Sequence, residues 1–239
     1  MYNQNYNSYD TTYYGSSSTT FPAVMKNVYM WMCFALAMTG LTAAAVATQP
    51  QIIYAIFTNQ LVFWGLMIAE LGLVFYFSAR IMRMSLTTAG LVFAAYSILN
   101  GVTMSSIFMV YTMESIATTF FITAGTFGAM SLFGYFTKRD LSTMGRILFM
   151  ALIGVIIATI VNMFVHSSGL QFGISILGVL IFTGLTAYDT QKIKQMVAMY
   201  GNQADENVMK LALLGSLSLY LDFINLFLYL LRFFGNSRD

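Results

Sequence analysis

The chain has 239 residues, 58% of them hydrophobic and 8% charged, with a formal net charge of +2. Soluble domains carry roughly 45–50% apolar and about 25% charged residues, so a water-facing surface of this area is excluded. A charge of +2 with no basic stripe excludes a nucleic-acid partner. The single cysteine, Cys33, excludes an intramolecular disulfide and a thiolate metal cluster.

In chain order, residues 1–21 are rich in Tyr, Asn, Ser and Thr. They have no apolar period and read as a disordered tail, and no basic segment precedes a short apolar core as in a signal peptide. Residues 22–235 form one transmembrane domain. Seven apolar segments, approximately 27–48, 60–79, 86–111, 115–137, 146–165, 171–193 and 209–234, each approach the roughly 20 residues that cross a ~30 Å hydrocarbon core. The fold class is therefore all-α, a multi-pass seven-helix bundle whose exterior faces the lipid bilayer. The stretch Ile52–Gln60 between the first two spans is interfacial or helical, and only Thr112, Met113 and Glu114 part the third span from the fourth. Gly125, Gly128, Ala129 and Gly134 let backbones approach closely and place the fourth span inside the bundle. The tyrosines and tryptophans read as tail residues or interfacial anchors. His166 and Asn162, at the outer end of the fifth span, read as interfacial residues.

Connections set the orientation. Lys26, Arg80, Arg83, Lys138, Arg139, Arg146, Lys192, Lys194 and Lys210 fall on the side of the N-terminus, and only Arg232 and Arg238 on the other. By the positive-inside rule the N-terminus is cytoplasmic and the C-terminus outside.

A charge at bilayer depth costs roughly 2.5–3.5 kcal/mol on insertion scales, which makes intramembrane ionisable groups functional candidates. Glu70, Asp189 and Asp222 qualify, and Arg80 and Arg232 lie near helix ends. Glu70 and Arg80 are ten residues apart, as are Asp222 and Arg232, an interval of roughly 15 Å along a helix. Laid antiparallel, the second and seventh spans bring Glu70 level with Arg232 toward the outside and Arg80 level with Asp222 toward the cytoplasm. Asp189, near the inner end of the sixth span, joins that inner level. Asp222, Asn225, Tyr229 and Arg232 share one helical flank, which must face protein or a water-filled path.

Two facing carboxylates tend to share one proton. Such a pair suits three roles. As an ion pathway, it offers a hard cation such as calcium fewer than its usual six to eight oxygens, so Asp189 and Asp222 bind it weakly, as conduction requires. As a protease dyad it lacks its sequence context: Leu219-Tyr220-Leu221 precedes Asp222, and the only prolines are Pro22 and Pro50. As part of a non-conducting regulator, the cluster is structural and the tail is the handle for another membrane protein. A retinal protein is excluded, because no lysine lies in the interior of the seventh helix.

Leu217-Ser218-Leu219-Tyr220-Leu221-Asp222-Phe223-Ile224-Asn225-Leu226-Phe227, closing with Leu231-Arg232-Phe233-Phe234-Gly235, resembles the last helix of the Bax inhibitor-1 family (transmembrane Bax inhibitor motif proteins). Ala187-Tyr188-Asp189-Thr190-Gln191-Lys192-Ile193 resembles that family's aspartate motif at the end of the sixth helix. The resemblance covers residues 22–235. It implies a bacterial-type member with a central last helix, no enzymatic activity and no tightly bound cofactor, in the bacterial inner membrane. It further implies a pH-sensitive calcium leak in which Asp189 and Asp222 are the sensor. Glu70 and Arg232 match the outer carboxylate and arginine, and Arg80, or else Arg83, the inner arginine. One bacterial branch is linked to a membrane protease as its regulator. The connection from Val197 to Val208 is long for this family.

Overall fold

A computed structural model describes the backbone of residues 17–200 and 206–236 and the side chains of residues 24–199 and 206–236. Most of the predicted tail, residues 1–16, lies outside the described residues. Its last part does not: α1 runs Ser17–Ala47 and so begins inside the stretch read as tail. Hydropathy marks where the apolar span starts, and a helix extends past that point wherever its backbone bonds close.

All the described secondary structure is helical. After α1 come α2 (Pro50–Thr58), α3 (Gln60–Arg80), α4 (Leu86–Met104), the short α5 (Ile107–Val110), α6 (Met113–Phe136), α7 (Ser142–Val165), α8 (Ser168–Tyr200) and α9 (Glu206–Phe234). Seven helices are long and apolar enough to cross a membrane, with α4 and α5 counting as one. Polar side chains set several boundaries. Asn59 Oδ1 accepts the Leu61 and Val62 N–H groups ahead of α3, Ser85 Oγ accepts that of Thr88, and Thr112 Oγ1 that of Ser115. Each satisfies an orphan donor at a helix start. Pro50 opens α2, where its missing N–H costs nothing.

The third span is not continuous. Ser105 Oγ donates to Val102 O at 2.7 Å and Ser106 Oγ to Thr103 O at 3.1 Å, and the helix breaks between Met104 and Ile107. Hydroxyls that bond nearby carbonyls compete with the helical ladder. The sixth-to-seventh connection is also shorter than expected. Val197–Tyr200 extend α8 and Glu206–Val208 already belong to α9; residues 201–205 lie outside the described part.

Burial is unequal among the spans. In α9, 67% of the most apolar window is buried, against 6% in α7. α9 packs on α8, α1, α6 and α4, whereas α7 packs chiefly on α8. The fourth span, α6, buries Thr119, Thr123, Phe127, Ser131 and Gly134 against α8 and α9. Gly125 and Gly128 face open space, so of the small residues read as a packing face only Gly134 is shown in tight contact. Small size permits close approach but does not say which flank has a neighbour. His166 closes α7 in the left-handed conformation (φ 54°) and is exposed. Cys33 is exposed on α1.

Candidate functional site

At the level of Asp189, α8 is seated against three neighbours by glycines. A Cβ on Gly134 of α6 would overlap the Ala187 carbonyl. One on Gly145 of α7 would stand 2.5 Å from the Tyr188 ring, and one on Gly215 of α9 2.9 Å from Ile193. These contacts bring α8 and α9 close enough for the two aspartates to meet. Their carboxyl groups lie close enough to act on each other. Two carboxylates this close repel when both are ionised, and one shared proton relieves that repulsion. Asp222 is 5% exposed, and its Oδ2 has no hydrogen-bond partner among the described residues.

Both aspartates line a cavity of about 760 Å³ between α7, α8 and α9. The flank expected to face a polar path does so in part: Ser218, Asp222, Asn225 and Tyr229 line it. Asn225 Nδ2 donates to Leu221 O at 2.8 Å, and Tyr229 stacks on Phe182 at 5.8 Å. Arg232 is exposed, its guanidinium 5.8 Å from the Tyr229 ring centroid. The cation acting on Asp189 is Lys192, three residues further along α8, with Arg146 lining the cavity from α7. Sequence reasoning read both only as part of the basic end.

The levelling of the second and seventh spans does not become contact. Among the described residues no ion pair joins Glu70 to Arg232, or Arg80 to either aspartate. Arg80 and Arg83 are exposed, and the ion pair at that end joins Lys210 to Glu206 at 3.1 Å. The reason is both height and lateral position. Leu86 bonds Glu206 at the inner end, Asn100 bonds Tyr220 and Thr103 bonds Glu70, so Glu70 stands near the level of Asp222 rather than of Arg232. Laterally, α3 packs on α4 and α2 rather than on α9. Counting residues from assumed span ends fixes neither the relative height of two helices nor which of them are neighbours.

Glu70, 7% exposed, belongs instead to a buried network of neutral groups. Thr103 Oγ1 donates to its Oε1 at 2.5 Å, and Asn100 lies one turn along α4 from Thr103. Asn100 Oδ1 accepts the Tyr220 hydroxyl at 3.1 Å, which lies 2.7 Å from Thr39 Oγ1, and Thr39 donates to Ser97 O at 2.9 Å. The chain of bonds links α3, α4, α9 and α1. Tyr220 and Tyr96, at 0% and 6% exposure, are core residues rather than interfacial anchors. A lone amide in the middle of a span was the readable signal for Asn100; Thr103 and Thr39 carried none.

No group of three or more His, Cys, Asp or Glu placed to hold a metal occurs among the described residues. Two carboxylates with Asn225 and Ser218 nearby form a sparse oxygen set, suited to a cation in passage more than to a resident one.

Comparison with known proteins agrees with this architecture. The sequence model of a family described as inhibitor of apoptosis-promoting Bax1 matches residues 22–239. The inner membrane protein YbhL of Escherichia coli K12 is 50% identical over 214 residues, covering 90% of this chain and 92% of its own. An uncharacterized protein of Borreliella burgdorferi is 50% identical over 222 residues (90% and 95%), and the uncharacterized protein RP147 of Rickettsia prowazekii 48% over 217 (90% of each).

Proposed function

We propose that this chain, which belongs to the Bax inhibitor-1 family, is a pH-sensitive calcium leak of a bacterial inner membrane, with Asp189 and Asp222 as its sensor. The observation that carries the reading is the pair of neighbouring carboxyl groups bordering a membrane cavity. With one proton the pair is compact and singly charged. Loss of that proton leaves two facing carboxylates, whose repulsion is relieved by a cation, by Lys192 or by helix movement. Calcium and the proton thus compete for the same oxygens. The relative named as an inner membrane protein supports the compartment, and the nine basic residues on one side support a cytoplasmic N-terminus.

The test is calcium flux into dye-loaded liposomes by purified protein across pH. Wild-type flux changes with pH, and Asp189→Asn and Asp222→Asn each abolish most of that response, whatever their basal leak. If both variants keep the wild-type pH profile, the aspartates are structural and a non-conducting regulator of a membrane protease or of stress and cell-death responses becomes the better reading.

A further inference from the structure

We propose that the cavity between α7, α8 and α9 binds one anionic phospholipid, its phosphate held by Arg146 and Lys192 and an acyl chain lying along α7. The proposal shares a cavity with the leak but does not rest on conduction.

The cavity is open to the bilayer on its α7 side. Phe149, Met150 and Ile156 line it and are at the same time 60%, 71% and 50% exposed on the outside of the bundle. Ile156 lies ten residues beyond Arg146, roughly 15 Å along the helix, or about half of a ~30 Å hydrocarbon core. An apolar wall one leaflet deep therefore starts at a cation.

The height of that cation is fixed by the loop before α7. The Gln191 side chain donates to Arg139 O and accepts from Leu141 N, both at 2.8 Å, so Lys192 stands level with the connection between α6 and α7. Phosphates of a bilayer lie at the level of such connections. Lys192 and Arg146 are exposed there, Lys192 beside Asp189 and 5.9 Å from the Tyr188 ring centroid and Arg146 donating to Thr143 Oγ1 at 3.3 Å, while Lys194 donates to the Tyr135 carbonyl at 2.7 Å.

The local charge favours an anion. Lys138, Arg139, Arg146, Lys192 and Lys194 face Asp140, Asp189 and Asp222. Asp140 accepts the Ser142 N–H at 2.9 Å, and its bonds to Ser142 hold its carboxyl below the ordinary carboxylate range. Basic pockets between spans are a recurrent seat for anionic headgroups. Two cations at the mouth repel a lipophilic amine, and an inorganic phosphate has no use for a long apolar wall.

The full chain, purified in detergent and placed in nanodiscs with equal phosphatidylglycerol and phosphatidylcholine, is re-extracted and its retained lipid identified by native mass spectrometry. The expected result is one phosphatidylglycerol per chain. The double variant Arg146→Gln/Lys192→Gln weakens that preference roughly ten- to thirty-fold, the effect of two basic side chains at a membrane surface. Arg83→Gln leaves it unchanged. A Phe149→Trp reporter, read over Trp31 and Trp64, is quenched more by brominated-tail phosphatidylglycerol than by brominated phosphatidylcholine. Equal retention of the two lipids, retention that survives the double variant, or displacement by millimolar inorganic phosphate overturns the proposal. Lipid retention is read without flux: a pH-independent leak with retained lipid overturns the leak alone, and a pH-dependent leak without lipid preference overturns the lipid site alone.

Discussion

Glu70→Met and Thr103→Val, made singly and together, measure whether the outer carboxylate is held by a neighbouring hydroxyl or by a distant arginine. Thr103 Oγ1 lies 2.5 Å from Glu70 Oε1 across the α3–α4 contact and 3.4 Å from Leu99 O, so Thr103→Val strands the carboxyl group while Glu70→Met leaves the hydroxyl its own-helix carbonyl. Interhelical hydrogen bonds within membranes contribute about 0.6 kcal/mol on average and about 1.7 at most in double-mutant cycles. A coupling of that size is expected here, toward the upper end because the acceptor is a carboxyl group. Arg232 sits exposed over Tyr229 on α9, a helix on which α3 does not chiefly pack. Glu70→Met and Arg232→Met should therefore add within about 0.5 kcal/mol, as independent sites do. Both cycles are read by SDS-induced unfolding in mixed micelles. A larger coupling for Glu70 with Arg232 than for Glu70 with Thr103 would refute the assignment and restore the ion pair.

Gly134→Ala should lower stability in detergent by about 1–3 kcal/mol, because its methyl overlaps the Ala187 carbonyl and backbone cannot step aside as a rotamer can. Gly125→Ala, on the same helix with nothing within 4 Å, should stay within about 0.5 kcal/mol in the same unfolding assay. In a Cys33→Ser background, Asn3→Cys should resist an impermeant thiol reagent in intact cells and Ser237→Cys should react; reversed labelling would invert the orientation drawn from the basic residues.

Much of the architecture was legible because lipid allows few solutions. An apolar run near 20 residues must be a helix, since every backbone group has to be satisfied within its own segment. Asp189 and Asp222 were legible for a related reason: an ionisable group at that depth stands out against its surroundings. Their partner was not. Arg80 ends α3 about three turns inward of Glu70, which stands near the level of Asp222, whereas Lys192 acts on Asp189 from the same helix; a residue count from assumed span ends shows neither. Glu70 was found and its setting missed, because Thr103 and Tyr220 pass as ordinary span residues until their hydrogen bonds are known, and the lone amide of Asn100 was the one readable sign of the network. The break at Ser105–Ser106 was hidden similarly, since two serines do little to the hydropathy of the run that holds them.

The glycine seats at Gly134, Gly145 and Gly215 act mechanically as a collar. A helix touched at backbone distance from three sides has no room to roll about its own axis, and Asp189 is held within that stretch. The freedom left to α8 is tilting about the collar, which moves the level of Asp189 least. In a lever the displacement grows with distance from the pivot. The swing is therefore smallest at Asp189 and largest near Gly178, where the Tyr229 ring leaves too little space for even a methyl group. A small change at the carboxyl pair would be read out at that far end as a parting of Phe182 and Tyr229.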